Sequence, residues 1–482
     1  MTVIVWFRRD LRLADNPALS HAVRAGEPIV PVFILDDEDA GERRAGGASR
    51  WWLHGSLEKL DGDIRSRTGG QGLVLRRGRA EAVIPALVEA TGASTVVWNR
   101  CYDPWATQRD SRLKAALRAG GVEASSFNAA LLCEPLSIFN KQGEPYKVFT
   151  PFWKALRAAI QPPKPSPAPR RIAIATTPPG ERLEDWSLRP QRPDWAAGLR
   201  DAWTPGEAGA TQRLDAFLDQ AVFDYAAQRN LPAVAGTSRL SAHLHFGEIG
   251  PWQVWRAVTT AAQAAFGDPF HRGVETFLSE LAWREFSHHL LFHAPSLPTA
   301  ALKPEFDRFA WRDDPPALEA WRRGRTGYPI VDAGLRELWT TGWMHNRVRM
   351  IVASFLIKDL LIDWREGEAW FWDTLVDADL ANNAASWQWV AGSGADAAPY
   401  FRIFNPVSQG LRFDPDGGYV RRWAPELARL PDAAIHAPWL ATPAQLAAAG
   451  VQLGRDYPHP IVDHAMARAR ALAAYQAVRR TA

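Results

Sequence analysis

Cysteine is nearly absent: among 482 residues only Cys101 and Cys133 occur. That leaves no disulfide framework, no four-cysteine zinc site and no cysteine-held iron–sulfur cluster, and it suits a reducing compartment. An excess of one charge is also lacking, since 56 Lys and Arg face 53 Asp and Glu for a net of +3. A nucleic-acid partner is therefore permitted, through a local basic face, but not announced by the total. Long apolar runs are missing too. The most apolar later stretch, Ile351 to Leu361, is interrupted by Lys358 and Asp359, and the opening Val3 to Phe7 is too short for a leader and is followed by arginines. No membrane segment and a cytoplasmic location are the expectation. No Gly-x-Gly-x-x-Gly follows the first apolar run and no Walker motif occurs, so neither a dinucleotide fingerprint nor a P-loop supplies a function.

What is present is the profile of a globular protein, 47% hydrophobic and 23% charged, and long enough for two domains. In the opening 130 residues, short apolar runs at Val3–Phe7, Ile29–Leu35, Leu73–Leu75 and Thr95–Trp98 read as buried parallel strands. Between them Pro17–Ala25, Ser49–Arg67, Ala80–Thr91 and Thr107–Ala119 carry helical spacing, with Gly26, Gly92 and Gly120 as stops. That order predicts a doubly wound α/β domain over 1–130. The proline-rich stretch 161–180 cannot be helix or central strand, so 131–205 reads as an inter-domain linker. From 206 to 482 the pattern is helical, most clearly at Thr211–Ala227, Trp252–Ala265, Gly273–Phe292, Ala317–Arg323, Asp332–Thr341 and Arg347–Leu361, which predicts an all-α second domain. The 23 tryptophans concentrate after residue 280; bulk suits most of them to packing.

Four stretches carry candidate chemistry. Gly236-Thr237-Ser238-Arg239-Leu240-Ser241 brings hydroxyls and backbone N–H groups to a helix start, a natural phosphate cradle, although a plain Ser or Thr cap has the same form. In Glu280-Leu281-Ala282-Trp283-Arg284-Glu285-Phe286, Glu280 and Arg284 share a helix face; this spacing is often a mere surface ion pair, but Leu278, Leu281 and Leu290 imply burial, where an acid and an arginine need a polar ligand or each other. In Gly342-Trp343-Met344-His345-Asn346-Arg347-Val348-Arg349-Met350, one helix face offers the amide of Asn346, the guanidinium of Arg349 and the thioether of Met350. Asp377-Ala378-Asp379-Leu380-Ala381-Asn382-Asn383, leading to Trp387-Gln388-Trp389, lacks the further ligand a metal would need; sugar hydroxyls are a better match. His289 and His293 have helical metal-ligand spacing without an HExxH context, so packing accounts for them. No metal site is expected.

In order along the chain, these four stretches and Trp6-Phe7-Arg8-Arg9-Asp10-Leu11-Arg12 with Asp15-Asn16 resemble the photolyase and cryptochrome family over nearly the whole sequence. The resemblance is strongest to bacterial cyclobutane pyrimidine dimer photolyases of the plant-cryptochrome-like branch, class III or class I. It implies an N-terminal antenna-binding domain and a C-terminal domain holding FAD in a folded conformation. Carried over by motif, Tyr225, Thr237, Ser238, Leu240 and Ser241 would hold the phosphates, and Phe277, Glu280, Arg284, Asn346 and Arg349 would line flavin and adenine. Phe277 departs from the tryptophan of some members. Asp377 and Asp379 would take sugar and ring donors, and Asn383 would face flavin N5, favouring the reduced forms.

The implied activity is light-dependent repair of cyclobutane pyrimidine dimers in UV-damaged DNA, a deoxyribodipyrimidine photolyase, by electron transfer from excited reduced FAD to a flipped-out lesion. Glu280, Asn346, Asn383 and Met350 would be the catalytic set, with Trp283 and Trp389 as apolar walls. Arg229, Arg347, Arg402 and Arg412 would contact DNA, mainly its phosphates, and Trp311, Trp364 and Trp387 would relay electrons. Phe371-Trp372-Asp373-Thr374-Leu375 and the stretch around Gly450 to Gly454 resemble plant cryptochromes, so a blue-light photoreceptor is the alternative; that branch carries aspartate where Asn383 and Asn346 stand and usually a long C-terminal extension. Asn346 and Met350 argue against the (6-4) photoproduct enzymes. Because Ser49-Arg50-Trp51-Trp52-Leu53 resembles the pterin-binding branch, 5,10-methenyltetrahydrofolate is the expected antenna, with 8-hydroxy-5-deazaflavin the alternative. A monomer is expected.

Overall fold

The computed structural model describes residues 2–396 and 401–480. The chain divides into two compact units that interleave along the sequence: unit 1 comprises Met1–Phe223, Ser238–Pro295 and Val376–Asp379, and unit 2 comprises Asp224–Thr237, Ser296–Leu375 and Leu380–Ala482.

Unit 1 is built on a five-stranded sheet, β1 (Thr2–Phe7), β2 (Ile29–Leu35), β3 (Val74–Arg77), β4 (Ala93–Asn99) and β5 (Glu123–Phe127), in the order β3-β2-β1-β4-β5. All its pairings are parallel. The crossovers are α1 (Pro17–Ala25), α2 (Gly47–Thr68), α3 (Ala80–Thr91) and α4 (Pro104–Ala119). With helices on both faces the central strands are buried throughout, which is why they read as unbroken apolar runs. Local chemistry sets the boundaries: the Asn16 side chain accepts from Leu19 N–H, Pro17 opens α1, and Gly26 at φ 75° ends it. The fifth strand, Glu-Ala-Ser-Ser-Phe, was not anticipated, because an edge strand needs no apolar run; only Ala124 of the five is buried.

In sheets of this topology ligands bind where the strand order reverses, here between the carboxyl ends of β1 and β4. Those ends carry a buried polar network. Arg8 pairs with Asp110 at 2.5 Å, and the Asn99 amide donates to Asp10 at 2.6 Å and to Asn16 at 2.7 Å. The opening motif is thus largely scaffold: buried Arg12 donates to the carbonyls of Gly247 (2.9 Å), Asp15 (2.8 Å) and Ala129 (3.1 Å). The proline-rich stretch is extended, held to β2 by Ile29 N–H to Ala173 O and Ala175 N–H to Ile29 O. Unit 1 continues through α5 (Phe149–Ala159), α6 (Glu207–Gln220), α7 (Ser241–Phe246), α8 (Pro251–Phe266) and α9 (Arg272–His293). The helix expected over Thr211–Ala227 ends at Gln220 and a separate turn forms at Tyr225–Gln228. The break falls where the chain presses on the start of α9: a Cβ on Gly273 would lie 2.3 Å from Phe223 O and 2.4 Å from Val222 O.

Unit 2 is helical, and the elements used below are α10 (Pro329–Thr341), α11 (Asn346–Ser354), α12 (Trp364–Thr374), α13 (Leu380–Ala391), α14 (Pro406–Phe413) and α15 (Gly418–Trp423). The helix expected over Arg347–Leu361 stays α only to Ser354 and widens into a π turn over Phe355–Asp359, a common device for changing side-chain phase. Lys358 and Asp359 are both buried there; the ammonium sits over the Phe401 ring and Asp359 pairs with His464 at 2.6 Å. Gly327-Tyr328-Pro329-Ile330-Val331-Asp332 is explained structurally, since buried Asp332 accepts from Thr326 N–H, Thr326 Oγ1, Gly327 N–H and the Tyr457 hydroxyl. No helix among the described residues is long and apolar enough to cross a membrane.

One contact in unit 2 allows no side chain. A Cβ on Gly367 of α12 would lie 2.1 Å from the Trp387 ring of α13 and 2.7 Å from Leu356. Overpacking of this kind costs about 1–3 kcal/mol. Gly367→Ala is therefore expected to lower the urea or thermal midpoint of unfolding, read by circular dichroism; an unchanged midpoint contradicts the packing described.

Candidate functional site

In unit 1 the cradle turn enters α7, with Ser241 exposed as its first residue and Ser238 Oγ accepting from Leu240 N–H at 3.4 Å. Arg239 takes φ 52° and lies over the Trp203 ring at 4.4 Å. On α9, Phe277 packs at 4.7 Å on Phe217 and Glu280 is half-buried. Arg284 donates to Ala130 O at 2.7 Å and pairs at 3.2 Å with its neighbour Glu285, a residue sequence reasoning passed over. Buried Glu285 also accepts from Leu132 N–H at 2.8 Å. Burial outweighs the help of Arg284 and His288 and pushes its carboxyl up to about 7. Trp283 is half-buried, one ring face being taken by Phe149 at 3.8 Å and 7°.

The short segment Val376–Asp379 adds Asp377 and Asp379, both buried. Asp379 meets two histidines absent from the predicted set: His245 Nδ1 lies 3.6 Å and His288 Nε2 3.5 Å from its Oδ2. Burial alone would raise this carboxyl, yet the two imidazoles hold it well below the usual carboxylate range. His289 and His293 pack ring to ring at 4.6 Å, and His289 Nε2 accepts from Tyr146 N–H. Among the described residues no group of three or more His, Cys, Asp or Glu could hold a metal ion.

In unit 2, α11 starts at Asn346, with the His345 ring accepting from Arg347 N–H. Asn346 is exposed and Arg349 and Met350 are half-buried; Arg349 Nε donates to Met344 O at 2.8 Å. Burial, and then Arg349, Arg347 and Arg229, push His345 down to about 4, which reports a concentration of positive charge. Arg347 is held by Asn230 (Nη2 to Oδ1, 2.8 Å) over the Phe413 ring at 4.4 Å, and Arg412 lies over the same ring at 5.1 Å. Arg229 lies over Tyr225 at 5.6 Å, and Arg402 is exposed. Thr237, at the other end of the same segment, is half-buried. Asn230 and Phe413, remote in sequence, carried nothing by which to find them.

On α13 the amide nitrogen of buried Asn383 donates at 3.0 Å to both the backbone and the side-chain oxygen of Glu368 on α12. Its donors spent, the side chain has only its carbonyl oxygen to present. Trp387 is buried against Phe371 at 5.0 Å, Trp364 is buried, and Trp311 is half-buried against Phe309 at 4.3 Å. Trp389 is half-buried, its ring fixed by donation to Asp396 O at 3.2 Å. Gln388 anchors α13 by donating to Leu297 O and Ala300 O and accepting from Leu302 N–H.

Comparison with known proteins agrees. Residues 3–170 match the DNA photolyase family and residues 277–477 the FAD binding domain of DNA photolyase. The chain is 53% identical to a deoxyribodipyrimidine photo-lyase of Agrobacterium fabrum over 99% of its own length and 98% of the relative's. It is 41% identical to cryptochrome-1 of Arabidopsis thaliana over 97% of its length and 69% of that protein. The crystal structure of a bacterial class III photolyase from Agrobacterium tumefaciens superposes with a TM-score of 0.95 at 52% identity, covering 99% of this chain and 98% of that one.

The Glu285 carboxyl yields a pH test. Its ordinary value is 4.5 and its folded value about 7, so the stability it contributes is complete below about pH 4.5 and is lost as pH rises through about 7. Glu285→Gln keeps an acceptor for Leu132 N–H and cannot ionise. From about pH 5 to about pH 8 the wild type is expected to lose up to about 3 kcal/mol relative to Glu285→Gln, measured by unfolding at both pH values; parallel pH profiles contradict this.

Proposed function

The chain belongs to the DNA photolyase family, and from that premise we propose that it is a deoxyribodipyrimidine photolyase, repairing cyclobutane pyrimidine dimers in UV-damaged DNA under light with FAD as its cofactor. The observation that carries the reading is the near-complete match to a photolyase at 53% identity, beside which the cryptochromes are more distant relatives, at 41% for the one from Arabidopsis. Residues 1–130 would form the antenna-binding part, 131–205 a linker and 206–482 the FAD-holding part, in a cytoplasmic monomer.

The residues present fit the cofactor. Hydroxyls of Thr237, Ser238 and Ser241 suit phosphates, and in unit 1 the buried His245 Nδ1 and ring nitrogens of His288 lack hydrogen-bond partners, which suits a polar guest. In this reading Tyr225 and Leu240 complete the phosphate contacts, and Phe277, Glu280, Arg284, Asn346 and Arg349 line the rings. Asp377 and Asp379 accept from sugar and ring donors. Asn383 presents the carbonyl oxygen that Glu368 leaves free, an acceptor suited to a protonated N5. When bound, the reduced flavin supplies a light-driven electron that returns after ring cleavage.

The remaining roles fall to the chain. Arg229, Arg347, Arg402 and Arg412 bind the DNA, and the stacking of Arg347 on Phe413 fixes its guanidinium toward phosphate geometry. Trp283 and Trp389 grip the pyrimidine rings. For Trp283 this leaves the ring face that Phe149 does not cover. Glu280 hydrogen-bonds the lesion carbonyls and, protonated or bridged, steadies the negative charge that develops there, with Asn346 and Met350 beside it. The order buried Trp387, buried Trp364, half-exposed Trp311 suits a relay from surface to interior. For the antenna, 5,10-methenyltetrahydrofolate is the first choice and 8-hydroxy-5-deazaflavin the alternative. This rests on the resemblance of Ser49 to Leu53, of which Ser49, Trp51, Trp52 and Leu53 are buried in unit 1.

The direct test is restoration of dimer-containing DNA by the purified protein under blue light and in darkness. Repair in light alone is expected; a flavin-loaded protein that repairs nothing under light points to the photoreceptor instead. Trp387→Phe is expected to block photoreduction of the flavin while leaving repair by chemically reduced protein intact, and loss of both together contradicts the relay.

A further inference from the structure

Trp311, the outermost ring of the relay read above, is not the end of the aromatic surface around it. In unit 2 its ring lies 4.3 Å from that of Phe309, Phe309 lies 6.2 Å from Phe401, and Phe401 stacks on Tyr475 at 4.6 Å and 7°. A second line of contacts runs from Phe309 to Phe306 at 6.2 Å and 4°, and from Phe306 to Tyr475 at 6.2 Å. The three phenylalanines are buried in one apolar cluster with Ala301, Leu361 and Ala471, against which half-buried Trp311 and Tyr475 pack. Local structure holds both ends. Trp311 N–H donates to Phe309 O and Arg312 N–H to Leu361 O. Tyr475 stands on α16 (His464–Arg480), one helical turn after Ala471, the fully buried residue that seats this helix on the cluster.

Only the two end rings give up an electron readily. Indole and phenol hold their electrons loosely and a plain benzene ring does not, so Phe306, Phe309 and Phe401 supply electronic coupling without storing a charge. A phenol keeps its proton at neutral pH and becomes a strong acid once an electron has left, so an oxidised tyrosine sheds that proton and ends as a neutral radical. An indole that has lost an electron stays positively charged until it too is deprotonated. The neutral tyrosyl is therefore the lower resting place for a hole. One cationic side chain lies on the way: Lys358 Nζ sits 3.2 Å from the centre of the Phe401 ring. A full charge there would oppose the passage of positive charge in a low dielectric. Burial drives Lys358 well below its ordinary range, toward the neutral amine, against the pull of Asp359.

We propose that Tyr475 is a redox residue of this protein, the terminal electron donor to Trp311 across Phe309 with Phe401 and Phe306. The inference rests on the relay of Trp387, Trp364 and Trp311 and extends it to the C-terminal helix. An electron passes from Tyr475 to the Trp311 radical cation, which returns to its closed-shell form. The phenolic proton of Tyr475 leaves to water, and a neutral tyrosyl radical remains. An added thiol then gives a hydrogen atom to the phenoxyl oxygen, restoring Tyr475 and being oxidised itself. Moving the hole outward and releasing its proton hinders its return to the interior.

The test is electron paramagnetic resonance of the FAD-loaded protein, frozen under blue light without added thiol. It compares wild type, wild type carrying ring-deuterated tyrosine, Tyr475→Phe and Trp311→Phe. Tyr475→Phe keeps the ring stack and removes only the hydroxyl. Wild type is expected to give a tyrosyl signal that narrows with the deuterium label. Tyr475→Phe is expected to lose that signal and leave a tryptophanyl radical, which disappears faster in transient absorption, and Trp311→Phe to lose the tyrosyl signal as well. A tyrosyl signal that survives in Tyr475→Phe or in Trp311→Phe overturns the proposal, as does a wild type whose protein radical is tryptophanyl alone. A flavin-loaded wild type that forms no protein radical under light overturns the relay reading and this inference with it, an outcome told apart from the others by its silent spectrum.

Discussion

A charge taken out of water must be met by an opposite charge or by hydrogen-bond donors, and the interior of this protein is organised around acids that obey this in two ways. In the scaffold the donors are built in. Glu248 accepts from the Trp52 indole at 2.9 Å and from Gly206 N–H at 2.7 Å, beside His243; Asp10 accepts from Arg8 N–H and Asn99; Asp332 has four donors. Asp379 is met by two imidazoles, with His245 Nδ1 at 3.6 Å and His288 Nε2 at 3.5 Å from its Oδ2.

The same economy of partners makes the opening motif part of the scaffold. A doubly wound sheet offers a crevice at its switch point, and here Arg8, Asp10, Asn16, Asn99 and Asp110 pair with one another across it. Asn383 shows the opposite use: Glu368 absorbs its donors, and a side chain that is ambivalent in isolation becomes an acceptor. One neighbour thus decides the polarity that the amide shows to a guest.

Much of this was legible in sequence. The strand at Ile29–Leu35 and the helices at Pro17–Ala25 and Ala80–Thr91 fall at the expected residues because apolar runs, an Asn cap, a Pro and αL glycines specify them locally. The Glu-Ala-Ser-Ser-Phe strand, the break before Tyr225 and the π turn at Phe355–Asp359 were not, because each is set by what packs against it: a neighbouring strand edge, the backbone near Gly273, and a buried Lys358 and Asp359. Among the chemical residues, those inside ordered motifs could be named from the chain alone. Phe149, His245, Asn230, Phe413 and Glu368 could not, since each acts on a residue distant in sequence, and His288 stayed hidden beside the more regularly spaced His289 and His293.

The central claim is that the chain holds one flavin nucleotide, with Asp379 among the residues that face it. The measurement that bears on it most directly is the stoichiometry and tightness of FAD on the purified full-length chain, by absorbance after denaturing release and by titration of the flavin-stripped protein. One FAD per chain, with affinity falling at least tenfold in Asp379→Ala, is the predicted result. A folded chain that takes up no flavin, or takes it up equally well without Asp379, would contradict the account.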